Sequence, residues 1–167
     1  MKWGDVDNRW RGMSSGKTIK SRFRSKSEHS LDNKGRLNFP SRFRDVLAQY
    51  GSGMLMVVPW KAHLRAYPVS EWEIIEDKLL DQKEQPQMGS YIRWVLSGVT
   101  ECNLDKQGRI LLPAALRAEL RIGTDLVLTG MRDWVEIWDK DAWEIEIKGT
   151  LENFDSFDDG LSKLGIL

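Results

Sequence analysis

Cysteine and histidine are almost missing from this 167-residue chain: Cys102 is the single cysteine, and His29 and His63 are the two histidines. One thiol cannot close an internal disulfide, and no Cys–His or His-x-x-x-His spacing offers a metal site. Neither histidine has a catalytic partner in sequence. His29 alternates with Leu31 on a strand pattern, as a structural or solvent-facing residue would, and Cys102, between Glu101 and Asn103, reads as a small packing residue. There is no G-x-x-x-x-G-K-[ST] loop and no G-x-G-x-x-G fingerprint for a nucleotide. No run of about eighteen apolar residues could span a bilayer, and the N-terminus lacks the apolar core of a secretory signal. The expectation is a folded, cytoplasmic protein with no cofactor, no membrane contact and no enzymatic site.

Net charge is absent as well, since 25 basic residues balance 25 acidic ones. The balance is local rather than uniform. Up to Arg44 the acidic residues are only Asp5, Asp7, Glu28 and Asp32, whereas Lys and Arg recur throughout, among them Arg22, Arg24, Lys26, Lys34, Arg36 and Arg42. Such polarity presents a positive face to an anionic polymer while the other faces avoid it, although a basic N-terminal tail can also serve only solubility. With 41% hydrophobic residues, the chain has enough apolar material for a core.

What the chain has in abundance is itself. Glu28 to Pro40, EHSLDNKGRLNFP, returns as Glu101 to Pro113, ECNLDKQGRILLP. Glu28, Leu31, Asp32, Gly35, Arg36 and Pro40 recur at one constant offset as Glu101, Leu104, Asp105, Gly108, Arg109 and Pro113, and Arg44 and Leu47 continue the register as Arg117 and Leu120. After a two-residue deletion, Leu55, Tyr67, Trp72 and Glu73 return as Leu126, Trp138, Trp143 and Glu144. One structural unit is used twice.

Each unit reads as strand, tight turn, strand and helix. An Asp at the turn entry bonds the backbone ahead of it, Gly supplies positive φ, and Pro opens the helix. Ser27 to Leu31 and Arg36 to Phe39 are expected to pair as the first hairpin. SRFRDVLAQY places Phe43, Val46, Leu47 and Tyr50 on one helical face, and Gly51 to Gly53 end that helix. MLMVV is a short buried strand bounded by Pro59, with LRAY as its partner. SEWE from Ser70 and DAWE from Asp141 read as capping boxes, each opening a helix with a Trp anchor, Trp72 or Trp143. Arg36 and Arg109 stay open between two readings: a structural pair with the Asp of the same turn, or a reader of phosphate and guanine edges, with Lys34 adding charge beside the first.

The doubled D-x-x-G-R motif, with SGVTE before the second copy and EIWD-x-x-x-W after it, resembles the MraZ family of bacterial transcriptional regulators. That family belongs to the AbrB-like swapped-hairpin superfamily, and the resemblance covers roughly Ser21 to Leu151. It implies a mainly β fold with short helices, in which tandem swapped-hairpin half-barrels form one pseudo-two-fold barrel per chain. The organisation expected is a flexible basic extension over 1–20, repeat 1 over 21–80, a connector with a short helix over 81–98, repeat 2 over 99–151, and an acidic, turn-rich tail over 152–167. Phe154, Phe157 and Leu161 of that tail are placed to dock on a neighbour. The resemblance also implies a repressor bound to short direct repeats in double-stranded DNA upstream of division and cell-wall genes, including its own. It implies a ring-like homo-oligomer associated with the nucleoid. Arg36 matches the family's DNA-reading arginine. Arg22, Arg24, Lys26, Asn33, Lys34 and Arg42 are assigned with it to DNA binding, and Asp32, Gly35, Asp105, Gly108 and Arg109 to turn structure or assembly. A competing class is an antitoxin-like module that binds a protein partner.

Overall fold

The computed structural model of the protein describes residues 21–166; the expected basic extension over 1–20 lies outside them. The protein combines antiparallel sheet with several short helices. Repeat 1 supplies β1 (Lys26–Ser30), β2 (Arg36–Asn38), α1 (Ser41–Ala48), β3 (Met54–Trp60), β4 (His63–Pro68) and α2 (Val69–Asp81). After the connector and α3 (Gly89–Ser97), repeat 2 supplies β5 (Thr100–Asn103), β6 (Arg109–Leu111), α4 (Ala114–Glu119), β7 (Asp125–Gly130), β8 (Val135–Asp139) and α5 (Lys140–Glu152), followed by α6 (Phe154–Lys163).

The strands pair across the repeats. The larger sheet runs β1-β7-β8-β4-β3-β5, and β2 pairs with β6 in a two-stranded ribbon. Thus β1 of repeat 1 lies on β7 of repeat 2, from Lys26 opposite Thr129 to Ser30 opposite Asp125. Reciprocally, β5 lies on β3, from Asn103 opposite Met54 to Thr100 opposite Val57. The expected first hairpin is therefore corrected. Its tight turn exists, but past it β1 and β2 part to different ladders, because each finds its backbone partner in the other repeat.

Alternation along the strands makes two cores. Leu55 and Val57 of β3, Leu64 and Ala66 of β4, Leu126 and Leu128 of β7 and Val135 and Ile137 of β8 face one side, where they meet Leu37, Phe39, Phe43, Val46, Leu47, Ile110, Leu112 and Leu116. Phe23 meets Phe43 edge to face, with centroids 5.7 Å apart. The opposite face of β3 and β4 packs Val58 and Tyr67 against Trp72 of α2 and Val95 of α3. Burial on both faces is why MLMVV is an unbroken apolar run. The helical face of α1 forms as expected, with Tyr50 partly buried at the margin of the core.

Other local expectations are corrected. β3 continues through Pro59 to Trp60, because β5 covers it only as far as Val57 and leaves that edge open where proline lacks its N–H. Neither capping box forms. α2 starts at Val69 behind Pro68 with no side-chain cap, and α5 is capped by Asp139, which accepts from the amides of Asp141 and Ala142. Trp72 is fully buried, but Trp143 is only half-buried against Trp138. The expected turn-rich tail is helical, since α6 follows α5 with only Asn153 between.

The ribbon gives a clean stability contrast. Leu37 and Ile110 oppose one another with no exposure, whereas Leu111 next to them is 55% exposed. Leu37→Ala is expected to cost about 2–5 kcal/mol in urea denaturation and Leu111→Ala within about 0.5 kcal/mol. Equal losses would mean that the ribbon does not close the core.

Candidate nucleic-acid interface

The two motif turns have the same bonds, one for one. In the first, Gly35 N–H donates to Asp32 O at 3.0 Å, and the amides of Lys34 and Arg36 both donate to Asp32 Oδ1 at 2.9 Å. Arg36 Nε then donates to Asp32 Oδ2 at 2.5 Å. In the second, Gly108 donates to Asp105 O at 3.0 Å, Gln107 and Arg109 to Oδ1 at 2.9 Å, and Arg109 Nε to Oδ2 at 2.9 Å. Gly35 and Gly108 have φ of +78° and +75°, so the motif needs glycine there. Each aspartate thus fastens its own turn and aims the arginine four residues on.

The antiparallel ribbon carries the two turns at its opposite ends and holds Arg36 and Arg109 on one face. Arg36 lies opposite Leu111 and Asn38 opposite Arg109, and Arg109 Nη1 comes within 4.0 Å of Asp32 Oδ2. Leu112 N–H donates to Gly35 O, and Phe39 N–H to Gly108 O, both at 3.0 Å. The pairing of Arg with the Asp of its own turn is present in both copies, yet it engages only Nε of Arg36. Among the described residues, the Nη groups of Arg36 make no hydrogen bond, while Asn33, Lys34, Lys106 and Gln107 are exposed at the two tips.

The remaining basic residues lie elsewhere. Lys26 opens β1 and the turn follows its far end, roughly 20 Å away along an extended chain. Arg42 donates to Lys26 O at 2.9 Å, making a second basic locus with it. Arg22 pairs with Asp133 at 3.3 Å, and Arg24 is exposed. Adjacency in sequence does not gather these four around Arg36. Sequence reading also passed over Arg44 and Arg117, whose guanidinium groups lie over the turn glycines. The signal was their shared register in the repeat. His63 likewise has a carboxylate partner that its sequence neighbours do not reveal, since Glu136 Oε1 lies 3.3 Å from its Nε2. The pair is buried and stacked on Trp138, and it belongs to the core.

The electrostatics follow from these bonds. The Arg36 backbone amide first, then the Arg36 guanidinium and the Lys34 amide, hold the Asp32 carboxyl down at about 2 against an upward push from desolvation. Asp105 is lowered by the equivalent groups, its largest cause being the Arg109 amide. Two carboxylates that stay ionised keep both arginines oriented at any physiological pH. Burial pushes the Cys102 thiol up to about 11, consistent with a packing residue and not a reactive one.

The chain matches the family described as "MraZ protein, putative antitoxin-like" over residues 23–88 and 95–159, one segment for each repeat. A protein named transcriptional regulator MraZ from Pediococcus pentosaceus is 38% identical over 145 residues, covering 86% of this chain and 99% of the relative. Those from Syntrophobacter fumaroxidans and Desulforapulum autotrophicum are 41% and 42% identical, covering 75% and 74% of this chain and 85% and 84% of the relatives. The class is therefore that of a transcriptional regulator and not of an enzyme. The chain belongs to the MraZ family. Among the described residues, no helix is long and apolar enough to cross a membrane.

Asp32 provides a test of the turn. Its lowered carboxyl adds stability that is complete above the ordinary aspartate value of about 4 and is lost as pH falls through about 2. A carboxyl NMR titration should give Asp32 a midpoint near 2, and Asp32→Asn should flatten part of the fall in stability between about pH 4 and 2. An Asp32 midpoint at the ordinary value would show that the turn is not fastened as described.

Proposed function

We propose that this protein is a sequence-specific DNA-binding repressor acting on short direct repeats in the promoter of its own division and cell-wall operon. The observation that carries the reading is the placing of both motif turns on one ribbon. Two Asp-oriented arginines share one face of the ribbon, with a pair of exposed tip residues beyond each of its ends, so that phosphate and base edges can be met together. Arg36, with both Nη groups uncommitted among the described residues, takes the base edge, and Asn33 and Lys34 flank it. Arg22, Arg24, Lys26 and Arg42 act as an outlying phosphate-binding flank. Asp32, Gly35, Asp105 and Gly108 hold the turns, and Arg109, shared between Asp105 and Asp32, braces them. The strand exchange between repeats supports an AbrB-like swapped-hairpin barrel closed within one chain. Exposed Ile145, Leu151, Phe154 and Phe157 on α5 and α6 leave apolar surface for neighbouring copies in a ring-like homo-oligomer. Such a protein works in the cytoplasm on the nucleoid.

The same apolar surface, together with the antitoxin-like family description, favours a second reading in which the chain captures a protein partner. Fluorescence anisotropy with promoter DNA over a salt series separates the two. Log affinity should fall with log salt with a slope near −0.9 per phosphate contacted. Arg36→Ala should lose about 1–3 kcal/mol at each DNA box while costing the fold under about 1 kcal/mol. No binding at low salt would turn the assignment to the partner-binding class. Inserting half a helical turn between boxes should weaken binding by the oligomer, and unchanged affinity would mean that its subunits do not bind jointly.

A further inference from the structure

Arg44 and Arg117 occupy equivalent places in the two repeats, and each lies under the other repeat's turn. A methyl group built on Gly35 would stand 2.8 Å from Nη2 and 3.1 Å from Cζ of Arg117. One built on Gly108 would stand 2.7 Å from Cζ and 2.8 Å from Cδ of Arg44. Each guanidinium therefore occupies the space that a side chain on the opposite glycine would take, so a side chain there would displace it, while the positive φ is what demands glycine. Gly35 and Gly108 are buried although they sit in exposed turns.

The backbone that delivers each arginine is continuous with the ribbon. β6 pairs with β2, Leu112 N–H binds Gly35 O, Pro113 opens α4, and Arg117 folds back one turn later. Arg117 Nε then donates to Leu112 O at 3.1 Å, anchoring the guanidinium to the residue that already holds the turn's carbonyl. On the other side, Phe39 binds Gly108 O, Pro40 opens α1, and Arg44 follows. Neither Arg44 nor Arg117 makes an ion pair among the described residues, so no carboxylate accounts for their placement.

We infer that Arg117 is a positioning residue for the first motif turn and Arg44 for the second, each acting across the repeats by stacking on the opposite glycine. The first turn, which carries Arg36, is thus shaped by repeat 2. Its bearing on DNA rests on the function proposed above, but the stacking itself does not.

Hydrogen-exchange mass spectrometry on the full-length protein without DNA tests the crossing. Arg117→Met should speed exchange at least tenfold in a peptide covering 32–37 and leave one covering 105–110 unchanged, and Arg44→Met should do the reverse. Arg117→Lys keeps the charge but loses the plane, so it should behave like Arg117→Met, and it serves as the working variant if the methionine form does not fold. Specific DNA affinity should drop at least tenfold in both Arg117 variants. Faster exchange in the variant's own repeat, equal loosening of both turns, or restored protection in Arg117→Lys would overturn the inference. So would unaltered exchange accompanied by a salt slope reduced by about one, which is the signature of a plain phosphate contact. Loosened exchange with no DNA binding even by the unsubstituted protein would uphold the stacking and remove the DNA reading alone.

Discussion

Backbone hydrogen bonds that neither repeat can complete alone are the constraint on which the structure depends. Among the described residues, β2 and β6 are three residues each and pair only with one another, and β1 and β5 find ladders only on the opposite repeat. A buried peptide group without a partner costs more than a bonded one gains, so the exchange is obligatory once the turn separates its two flanking strands. The shared core, the placing of both turns on one ribbon and the crossed arginines all follow from it.

Much of this was legible in the sequence, and the failures have specific causes. The repeat register, the Asp and Gly of each turn, the apolar face of α1 and the buried MLMVV strand depend on local chemistry or short-range period, and they stand where expected. Strand partnership does not. Nothing in EHSLDNKGRLNFP says whether its two halves pair with each other or with the second copy, since both arrangements satisfy the same turn. Pro68 and Asp139 took the helix starts from Ser70 and Asp141 because each repeat leaves its strand directly into a helix, two residues earlier than the capping pattern suggested. Arg44 and Arg117 were visible as a repeated pair, but their task lies in trans, beyond the reach of spacing within one repeat.

A second polar system shows how cross-strand register builds what linear order hides. Arg65 lies opposite Glu136, with His63 two residues before it on the same strand. The guanidinium sits 4.1 Å from the centre of the Trp60 ring and 5.1 Å from that of Trp134, and it donates to Tyr67 Oη at 3.3 Å. Burial pushes the Glu136 carboxyl up, but hydrogen bonds from His63 and Trp138 and the charges of His63 and Arg65 outweigh it, leaving the group lowered. Charge of both signs is thus confined at the junction of β4 and β8, where the repeats meet through the middle of the large sheet.

The exchange of strands also has a consequence for how such a chain assembles. A half-length version with a single copy would carry the same open ladders and could fill them only from a second molecule, so its folding would be bimolecular and would fail on dilution. Joining the copies through α2, the connector and α3 replaces that encounter with a tethered one whose effective concentration is set by the linker and not by expression level. The exchange of strands then becomes a first-order step, and the folding of each chain no longer depends on how many copies the cell makes.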